Sequence, residues 1–294
     1  MKLNQFKQVG NQTVCLFGPP KSGKSLLAGK LAEHFKVIWF DLENGASVLL
    51  QLPVEWQERI ELIQIPDTRT FPIAIETMMK VLKGSEVQIC ERHGKVSCAL
   101  CKQKNEPTVR VCLNEIDLDT IVVIDSGTQL TNSVMANIAR DKDVDYKFEW
   151  DDWAKVGTTM DWCLSHIQQA RYNVVYITHE AEVELEDGKS KLVPVSGTAR
   201  FSRNTAKYFG HVVYCEVKNK GHRATSSTTA AVNLLTGSRT GVALENGELT
   251  LLRIFKPELY PDIEPMQAGN VNTQGAAAVD KLAALRAKLG GGGK

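Results

Sequence analysis

An eight-residue segment, Gly-Pro-Pro-Lys-Ser-Gly-Lys-Ser at residues 18–25, constrains this chain more than any other feature. It fits the pattern Gly-x-x-x-x-Gly-Lys-Ser/Thr without departure. In such a loop the glycines let backbone N–H groups surround phosphates, while Lys24 reaches the β- and γ-phosphates and the Ser25 hydroxyl ligates Mg²⁺. The pattern predicts a loop that binds ATP with Mg²⁺ through Gly18, Pro19, Pro20, Lys21, Ser22, Gly23, Lys24, Ser25 and Leu26.

Short apolar runs around this loop predict the fold class. Residues 14–17 read as a buried strand before the loop, and residues 25–35 have helical spacing after it. Further buried strands are predicted at 37–40, 60–65, 121–124 and 174–177, with a helix at 73–82. Continuous apolar strands separated by helices indicate an α/β fold with a mainly parallel sheet flanked by helices. Later strands are predicted in hairpins, at 182–195, 211–217, 230–235 and 249–255.

Length and composition allow one large core. The chain has 294 residues and a formal net charge of +1, so any surface for nucleic acid must be a local basic patch. We assign residues 1–262 to the core, with an insertion at 86–113. Residues 263–294 are predicted to form a linker and a short amphipathic helix. Neither a signal-peptide h-region nor a membrane-spanning run is visible, so we expect a cytoplasmic location.

The insertion carries a pattern typical of a zinc site. Cys90-x-x-His93 is followed, after four intervening residues, by Cys98-x-x-Cys101, and each turn can direct two ligands at one centre. Four such ligands suit tetrahedral Zn²⁺. The flanking residues 87–89 and 109–111 could pair as strands, which would make the insertion a zinc knuckle on a hairpin. Cys112 is a spare ligand, and a cluster of free cysteines in a loop remains the alternative.

Two more strand ends carry carboxylates. Asp125 closes the apolar run at 121–124, as in a Walker B strand, where it would hold Mg²⁺ through water and Ser25. Asp41-Leu42-Glu43 closes the run at 37–40, and Glu43 could polarise the water that attacks the γ-phosphate. The Asn-Lys-x-Asp signature of guanine-specific proteins is absent, which favours ATP over GTP.

These motifs resemble those of the RecA-like recombinase ATPases, over roughly residues 10–257. The family carries a catalytic glutamate where Glu43 stands, and Ile124-Asp125-Ser126 is similar to its Walker B segment. Thr178-His179 stands where a polar residue, often glutamine, senses the γ-phosphate, so His179 departs from the pattern. Among its members the chain looks closest to compact phage-encoded proteins of recombination and single-strand annealing. The resemblance implies an ATPase that binds single-stranded DNA and assembles into rings or filaments.

The segment Val217-Lys218-Asn219-Lys220 resembles a Val-Lys-Asn-Lys segment of bacterial RecA. In that family the two lysines reach across a subunit interface to the ATP of the neighbour, so the resemblance implies catalytic roles for Lys218 and Lys220. Their spacing of two residues would place both on one face of a strand. An exposed strand end without such a role is the alternative.

The family pattern places DNA-contacting loops after the Walker B strand and after the next strand, here residues 131–155 and 180–207. The second is the better candidate, because basic residues outnumber acidic ones after Gly188 and aromatic residues lie among them. The predicted DNA contacts are Lys189, Lys191, Arg200 and Arg203. A folded hairpin and helix, or arginines that face ATP across an interface, are the alternatives.

Other functions remain open for this sequence: a ring-type DNA helicase or translocase, an ATP-gated scaffold with little turnover, and a P-loop kinase. A kinase would need an acceptor pocket and a lid, and the sequence shows no arginine-rich lid. A scaffold could recruit a single-strand-binding or replication protein through the zinc knuckle and the C-terminal helix.

Overall fold

The computed structural model describes residues 10–184, 188, 190–226, 233–240, 244 and 249–260. The predicted linker and helix at 263–294, and the turn residues Glu186, Asp187 and Lys189, lie outside these ranges. The helices are α1 (Lys24–Gly29), α2 (Val54–Gln57), α3 (Ile73–Val81), α4 (Ala99–Gln103), α5 (Gly127–Ile138), α6 (Trp150–Gln168), α7 (Ala199–Ser202) and α8 (Leu252–Phe255). None of the helices in the described ranges is long and apolar enough to cross a membrane.

Twelve strands are present in the described residues: β1 (Thr13–Phe17), β2 (Lys36–Asp41), β3 (Ile60–Gln64), β4 (Val87–Cys90), β5 (Thr108–Val111), β6 (Thr120–Asp125), β7 (Asn173–Thr178), β8 (Glu180–Glu184), β9 (Ser190–Pro194), β10 (His211–Lys218), β11 (Gly221–Thr225) and β12 (Gly237–Ser238). The main sheet has the order β11-β10-β1-β7-β6-β2-β3, and β12 pairs with β10. All neighbours in it are parallel except the pairs of β10 with β11 and β12. The predicted mainly parallel α/β sheet is therefore confirmed.

Alternation along each strand divides the core between the two faces of the sheet. In β1, Cys15 and Phe17 point to one apolar cluster, while Val14 and Leu16 point to the other. The first cluster includes residues of α3, α5 and α6, and the second includes residues of α1 and α8. Because both faces are covered, the strands are apolar throughout, which is why they could be recognised as continuous runs.

Two smaller hairpins accompany this sheet. β4 pairs antiparallel with β5, which confirms the predicted hairpin of the insertion. β8 pairs antiparallel with β9, which confirms the hairpin predicted within 182–195. Of the strand predicted at 230–235, only 233–235 are described, and there Leu234 forms a single bridge with Leu192.

The strand predicted at 249–255 is wrong, because residues 252–255 form α8. Leu251, Leu252 and Ile254 are buried, and their spacing fits one side of a helix turn rather than a two-residue alternation. The helix predicted at 25–35 is shorter than expected. It ends at Gly29 and continues as a 3₁₀ turn over Lys30–Glu33, where the Leu49 and Leu52 side chains pack closely against Gly29.

Candidate nucleotide-binding site

The P-loop turns sharply between β1 and α1 and needs glycine at two positions. Gly18 has a φ of 149°, and a Cβ there would lie 2.0 Å from the carbonyl oxygen of Cys215 on β10. Gly23 has a φ of 88°, and its Cβ would lie 2.9 Å from Nδ1 of His222. Both glycines are therefore required by neighbouring strands as well as by the left-handed or extended backbone of the turn.

Lys24 is almost fully buried at the start of α1. Its ammonium donates to the carbonyl oxygens of Gly18 at 3.0 Å and Pro19 at 2.7 Å, and to the hydroxyl of Ser22 at 3.3 Å. Burial lowers the pKa of Lys24, while nearby acidic groups, Asp125 and Glu43 among them, act in the opposite direction. The charge is thus held inside the loop by dipoles that a phosphate group could replace.

Ser25 and Asp125 present two oxygens to the same point. The Ser25 hydroxyl donates to Oδ2 of Asp125 at 2.8 Å, although 100 residues separate them in the sequence. Burial, together with the neighbouring carboxylates of Glu43 and Asp41, raises the pKa of the Asp125 carboxyl to about 6, although the hydrogen bond from Ser25 acts in the opposite direction. A buried carboxylate with a raised pKa, beside a serine hydroxyl, is a suitable place for a divalent cation that would stabilise the ionised form.

Glu43 lies across the pocket in the loop after β2. Its carboxylate accepts a hydrogen bond from the Ser126 hydroxyl, and its Oε1 lies 3.6 Å from Nε2 of His179. Burial raises the pKa of Glu43, but the hydrogen bonds from His179 and Ser126, with the charge of Lys24, outweigh burial and leave the pKa below its usual value. The Glu43 carboxylate is therefore ionised at neutral pH and fixed in place by Ser126 and His179.

His179 follows β7 and connects this carboxylate to the hairpin of β8 and β9. Its backbone N–H donates to the Thr128 hydroxyl at 2.9 Å, and Thr128 contacts the Thr178 hydroxyl at 3.0 Å. Thr178 in turn donates to the carbonyl of Val195 at 2.6 Å. Nδ1 of His179 is buried and has no hydrogen-bond partner among the described residues. The imidazole thus has a free polar atom at the place where a γ-phosphate sensor was predicted.

These side chains line one cavity of about 590 Å³, large enough for a nucleotide. The cavity brings together residues 20–26 of the P-loop with Glu43, Asp125 and His179, whereas Gly18 and Pro19 do not line it. The sequence analysis missed His222, which lines the same cavity and whose Nδ1 lies 3.1 Å from the carbonyl oxygen of Ser22. It could have been found by pairing β11 with β10, because β10 lies beside the P-loop strand.

The predicted geometry of Lys218 and Lys220 is wrong. Lys218 ends β10 and pairs with Gly221, while Asn219 and Lys220 have φ values of 52° and 63°. These values define a two-residue hairpin turn in which the backbone is not extended. The two lysines therefore do not share one face of a strand. Both are exposed at the tip of the hairpin that begins beside the P-loop.

The four predicted zinc ligands come together in the insertion. One ligand atom from each of Cys90, His93, Cys98 and Cys101 lies within 4.8 Å of every other. Nδ1 of His93 lies 3.9, 3.6 and 3.1 Å from the three sulfurs, in the order of the chain. Tetrahedral Zn²⁺ with usual bond lengths requires N···S separations of about 3.6 Å, which these distances bracket. The residues present therefore fit a Cys₃His zinc centre.

The two predicted DNA loops are largely folded. Residues 127–138 and 150–168 form α5 and α6, and residues 180–207 form the hairpin of β8 and β9 followed by α7 and a 3₁₀ turn. For the second segment this matches the alternative of a folded hairpin and helix. Apolar residues at helical spacing indicate both helices, because Leu130 and Val134 of α5, and Val156 and Met160 of α6, are four residues apart and buried.

Folding brings parts of the two segments together around one groove of about 880 Å³. It is lined by Met135, Trp150, Trp153, Ala154, Gly157, Gly197, Thr198, Ala199, Arg200, Phe201 and Asn204. Trp150 is 83% exposed and Trp153 42% exposed, which is unusual for such large apolar side chains. Arg200 lines this groove rather than the nucleotide cavity. Arg203 instead donates to the carbonyl of Glu184, Lys191 lies on β9, and Lys189 lies outside the described residues.

The fold and this site define a P-loop nucleotide-binding domain built on a mainly parallel sheet. A family described as "AAA domain" matches residues 10–240, and the chain belongs to that family. No curated protein matches the chain. A crystal structure of the RadB recombinase is similar at 16% identity and a TM-score of 0.37, covering 73% of this chain and 79% of that one.

Proposed function

We propose that this chain hydrolyses ATP as an oligomer on single-stranded DNA, in recombination, annealing or replication of the phage type. The observation that carries the proposal is the pocket in which Ser25 contacts Asp125 at 2.8 Å, with Glu43 held opposite by Ser126. A cation ligand pair, a buried lysine and an ionised carboxylate are the groups that phosphoryl transfer to water requires.

Each group has a distinct role in this proposal. Residues 18–26 surround the phosphates, and Lys24 exchanges its carbonyl partners for the β- and γ-phosphates. Ser25 and Asp125 would hold Mg²⁺, whose charge would stabilise the phosphate oxygens. Glu43 orients and deprotonates the attacking water. His179, with its unpartnered Nδ1, senses the γ-phosphate and transmits its presence through Thr128 to the β8–β9 hairpin.

Oligomerisation would complete the site. Lys218 and Lys220 stand exposed at a hairpin tip, and an exposed turn with two ammonium groups can reach the phosphates of an adjacent subunit. There they would stabilise the negative charge that develops as the γ-phosphate is transferred. Lys218 and Lys220 do not lie on one face of a strand, so their spacing does not support this role. Its support is the position of the tip and the sequence resemblance.

The aromatic groove is the proposed site for single-stranded DNA. Exposed Trp150 and Trp153 offer faces on which unpaired bases can stack, and Arg200 beside Phe201 can contact a phosphate or a base. Lys191 on β9 and Arg203 at the end of α7 would extend the contact along the backbone. Lys189, outside the described residues, remains a predicted contact. A duplex could not offer its base faces to such a groove, so the groove favours single strands.

The proposal includes Zn²⁺ as a structural metal. Cys90, His93, Cys98 and Cys101 would hold it, and the metal would order an insertion that has little core of its own. Cys112 is not needed as a ligand, because its sulfur contacts the carbonyl of Gly84 at 3.6 Å. The domain division into a core at 1–262 and a tail at 263–294 remains a prediction, as does recruitment of a replication protein by the tail.

Steady-state hydrolysis and oligonucleotide binding test the proposal together. We expect ATP turnover without an acceptor, and binding to single-stranded oligonucleotides that is strengthened by a non-hydrolysable ATP analogue and weakened by salt. Glu43→Gln should reduce kcat by about a hundredfold while ATP binding remains. Absence of oligonucleotide binding at low salt, with and without nucleotide, would contradict the DNA role.

The same experiments separate the alternatives. Negligible turnover that Glu43→Gln leaves unchanged would favour a scaffold, and displacement of an annealed strand would favour a helicase. Turnover that requires an added acceptor would favour a kinase. Electron microscopy with an ATP analogue and single-stranded DNA distinguishes rings from filaments.

A further inference from the structure

The turn that carries two of the zinc ligands is packed directly against the main sheet. The N–H of Gly94 donates to the carbonyl of Cys90 at 2.9 Å, closing the turn around His93. A Cβ on Gly94 would lie 2.6 Å from Cα of Ile65 and 2.7 Å from the carbonyl oxygen of Gln64. The backbone of the ligand-bearing turn therefore contacts the backbone at the end of β3 with no side chain between them.

A buried hydrogen bond fixes this contact from the other side. The Thr77 hydroxyl, on α3, donates to the carbonyl of Gly94 at 2.8 Å. Ile89 and Val96 of the insertion belong to the same apolar cluster as Ile63 and Ile65. The ligand-bearing turn is thus held between α3 and β3, although the insertion itself projects from the fold as a hairpin.

The end of β3 is in turn bonded to the loop that carries Glu43. The N–H of Ile65 donates to the carbonyl of Asp41 at 2.9 Å, and the amide of Gln64 donates to the side chain of Asn44 at 3.2 Å. The Asp41 carboxylate accepts from the N–H groups of Gly45 and Ala46 at 3.0 and 3.1 Å. Each step from Gly94 to the residues beside Glu43 is a direct contact.

The insertion and Glu43 also face each other across a groove of about 780 Å³. Glu91 and Arg92, which lie between the first two zinc ligands, line it together with Glu43 and His179. Glu43 and His179 line the nucleotide cavity as well. The metal-bearing turn therefore forms one wall of a space that opens onto the carboxylate.

We propose that Zn²⁺ at Cys90, His93, Cys98 and Cys101 makes the Cys90–Gly94 turn a positioning element for Glu43. The inference rests on the proposed role of Glu43 in hydrolysis. Two metal bonds would fix Cys90 and His93 within the turn, and two more would tie the turn to Cys98 and Cys101. The restricted turn would then support β3 and the loop of residues 42–46. Nucleotide binding by the P-loop, on the other side of the pocket, is expected to be much less sensitive to the metal.

The test compares the zinc-bound chain with the same chain after treatment with a chelator and after Zn²⁺ is restored. Amide hydrogen exchange in a peptide covering 42–46 reports the loop directly, and a peptide from β10 serves as an internal reference. We expect exchange in the loop to be at least about tenfold faster without zinc, and unchanged in β10. kcat should fall by about tenfold, with KM for ATP changed by less than about threefold.

Three variants separate the metal from the contact. His93→Cys keeps four ligands, so it should retain zinc, and its amide exchange in residues 42–46 should stay as slow as in the wild type. His93→Ala should lose zinc, and exchange in residues 42–46 should become faster. Cys112→Ser is the matched control, because it removes a neighbouring thiol outside the cluster. Thr77→Val should keep zinc yet speed exchange in residues 42–46, since it removes only the bond to Gly94.

The outcomes distinguish this inference from the proposed function. If the zinc-free, folded chain and zinc-bound Thr77→Val both exchange in residues 42–46 as slowly as the wild type, the inference is wrong, even if ATP is hydrolysed. Failure to bind Zn²⁺ would also overturn it. If the wild type binds ATP but never hydrolyses it, the proposed function fails, and the exchange data still decide whether the metal positions the loop.

Discussion

The nucleotide pocket and the metal-bearing insertion lie at the same end of the sheet but obtain their geometry differently. Ser25 and Asp125 are 100 residues apart, and Ser22 and His222 are 200 residues apart, so only the packed sheet brings them together. The insertion collects its four ligands from residues 90–101. The pocket thus depends on the core of the whole domain, whereas the zinc ligands come from a dozen consecutive residues.

The largest expected effect follows from Lys24→Ala. Loss of the ammonium should reduce ATP hydrolysis by about a thousandfold, because the Lys24 ammonium is buried inside the loop, whereas Lys21, which lines the same cavity, is exposed. The fold should remain, since the variant removes a charge whose burial is unfavourable. Zinc content should be unchanged. Turnover, thermal unfolding and metal analysis check the prediction, and a loss of zinc would show that the two regions are not separable in this direction.

Cys101→Ser should impair the zinc site and leave the nucleotide pocket nearly unchanged, which is the reverse of Lys24→Ala. Removal of one of four ligands should weaken Zn²⁺ binding by on the order of a hundredfold or more and expose β4 and β5 to exchange. The affinity for an ATP analogue should change little. Competition with a zinc-binding dye measures the affinity for Zn²⁺, and titration with the ATP analogue measures the affinity for nucleotide. Cys112→Ser provides the control, and equal zinc loss in that variant would mean that Cys112 is a ligand.

A pH-dependent effect is expected from Asp125→Asn. Because the folded-state pKa is raised to about 6 from 3.8, ionisation of Asp125 costs stability, and this cost is fully present above pH 6 and disappears as the pH falls towards 4. The difference corresponds to about 3 kcal/mol, of which the weakened bond from Ser25 offsets about 1 kcal/mol. The variant should therefore be about 2 kcal/mol more stable at pH 7.5 and no more stable at pH 4.5. The free energy of unfolding of the wild type and of Asp125→Asn, measured by urea denaturation without nucleotide at pH 7.5 and pH 4.5, checks this prediction.

The smallest effect concerns the aromatic groove. Trp150→Ala should weaken binding of single-stranded oligonucleotides by about tenfold, as expected for one lost stacking contact, without changing zinc content or ATP turnover in the absence of DNA. Trp150→Phe should recover most of the affinity. Phe71→Ala, which removes an exposed aromatic side chain elsewhere, is the control. Equal losses for Trp150→Ala and Phe71→Ala would argue against the groove.

The comparison also shows what the sequence could predict. The P-loop, the strand ends at Asp125 and Glu43, and the paired zinc ligands were found because short motifs and continuous apolar strands carry their own signal. His222 and the groove beside Glu91 and Arg92 were not found. They depend on β11 lying beside β10 and on Gly94 meeting β3, which are contacts between distant segments.

The errors arose where local patterns allow two backbones. Val217-Lys218-Asn219-Lys220 looks like a continuing strand, but Asn219 and Lys220 turn the chain with positive φ values. Residues 249–255 are apolar enough for a strand, yet Leu251 and Ile254 pack as one side of a helix. In both cases the tertiary surroundings, and not the residue types alone, select the conformation.

Gly18 has a practical consequence for anyone who wishes to silence this site. A methyl group there would meet the Cys215 carbonyl at 2.0 Å, so a Gly18→Ala chain would have to separate β1 from β10 in the middle of the sheet. Such a chain would lose its activity through misfolding and would say nothing about phosphate recognition. A dominant-negative or inactive form should be made at Lys24 or Glu43, where the side chain can be changed while the architecture stays intact.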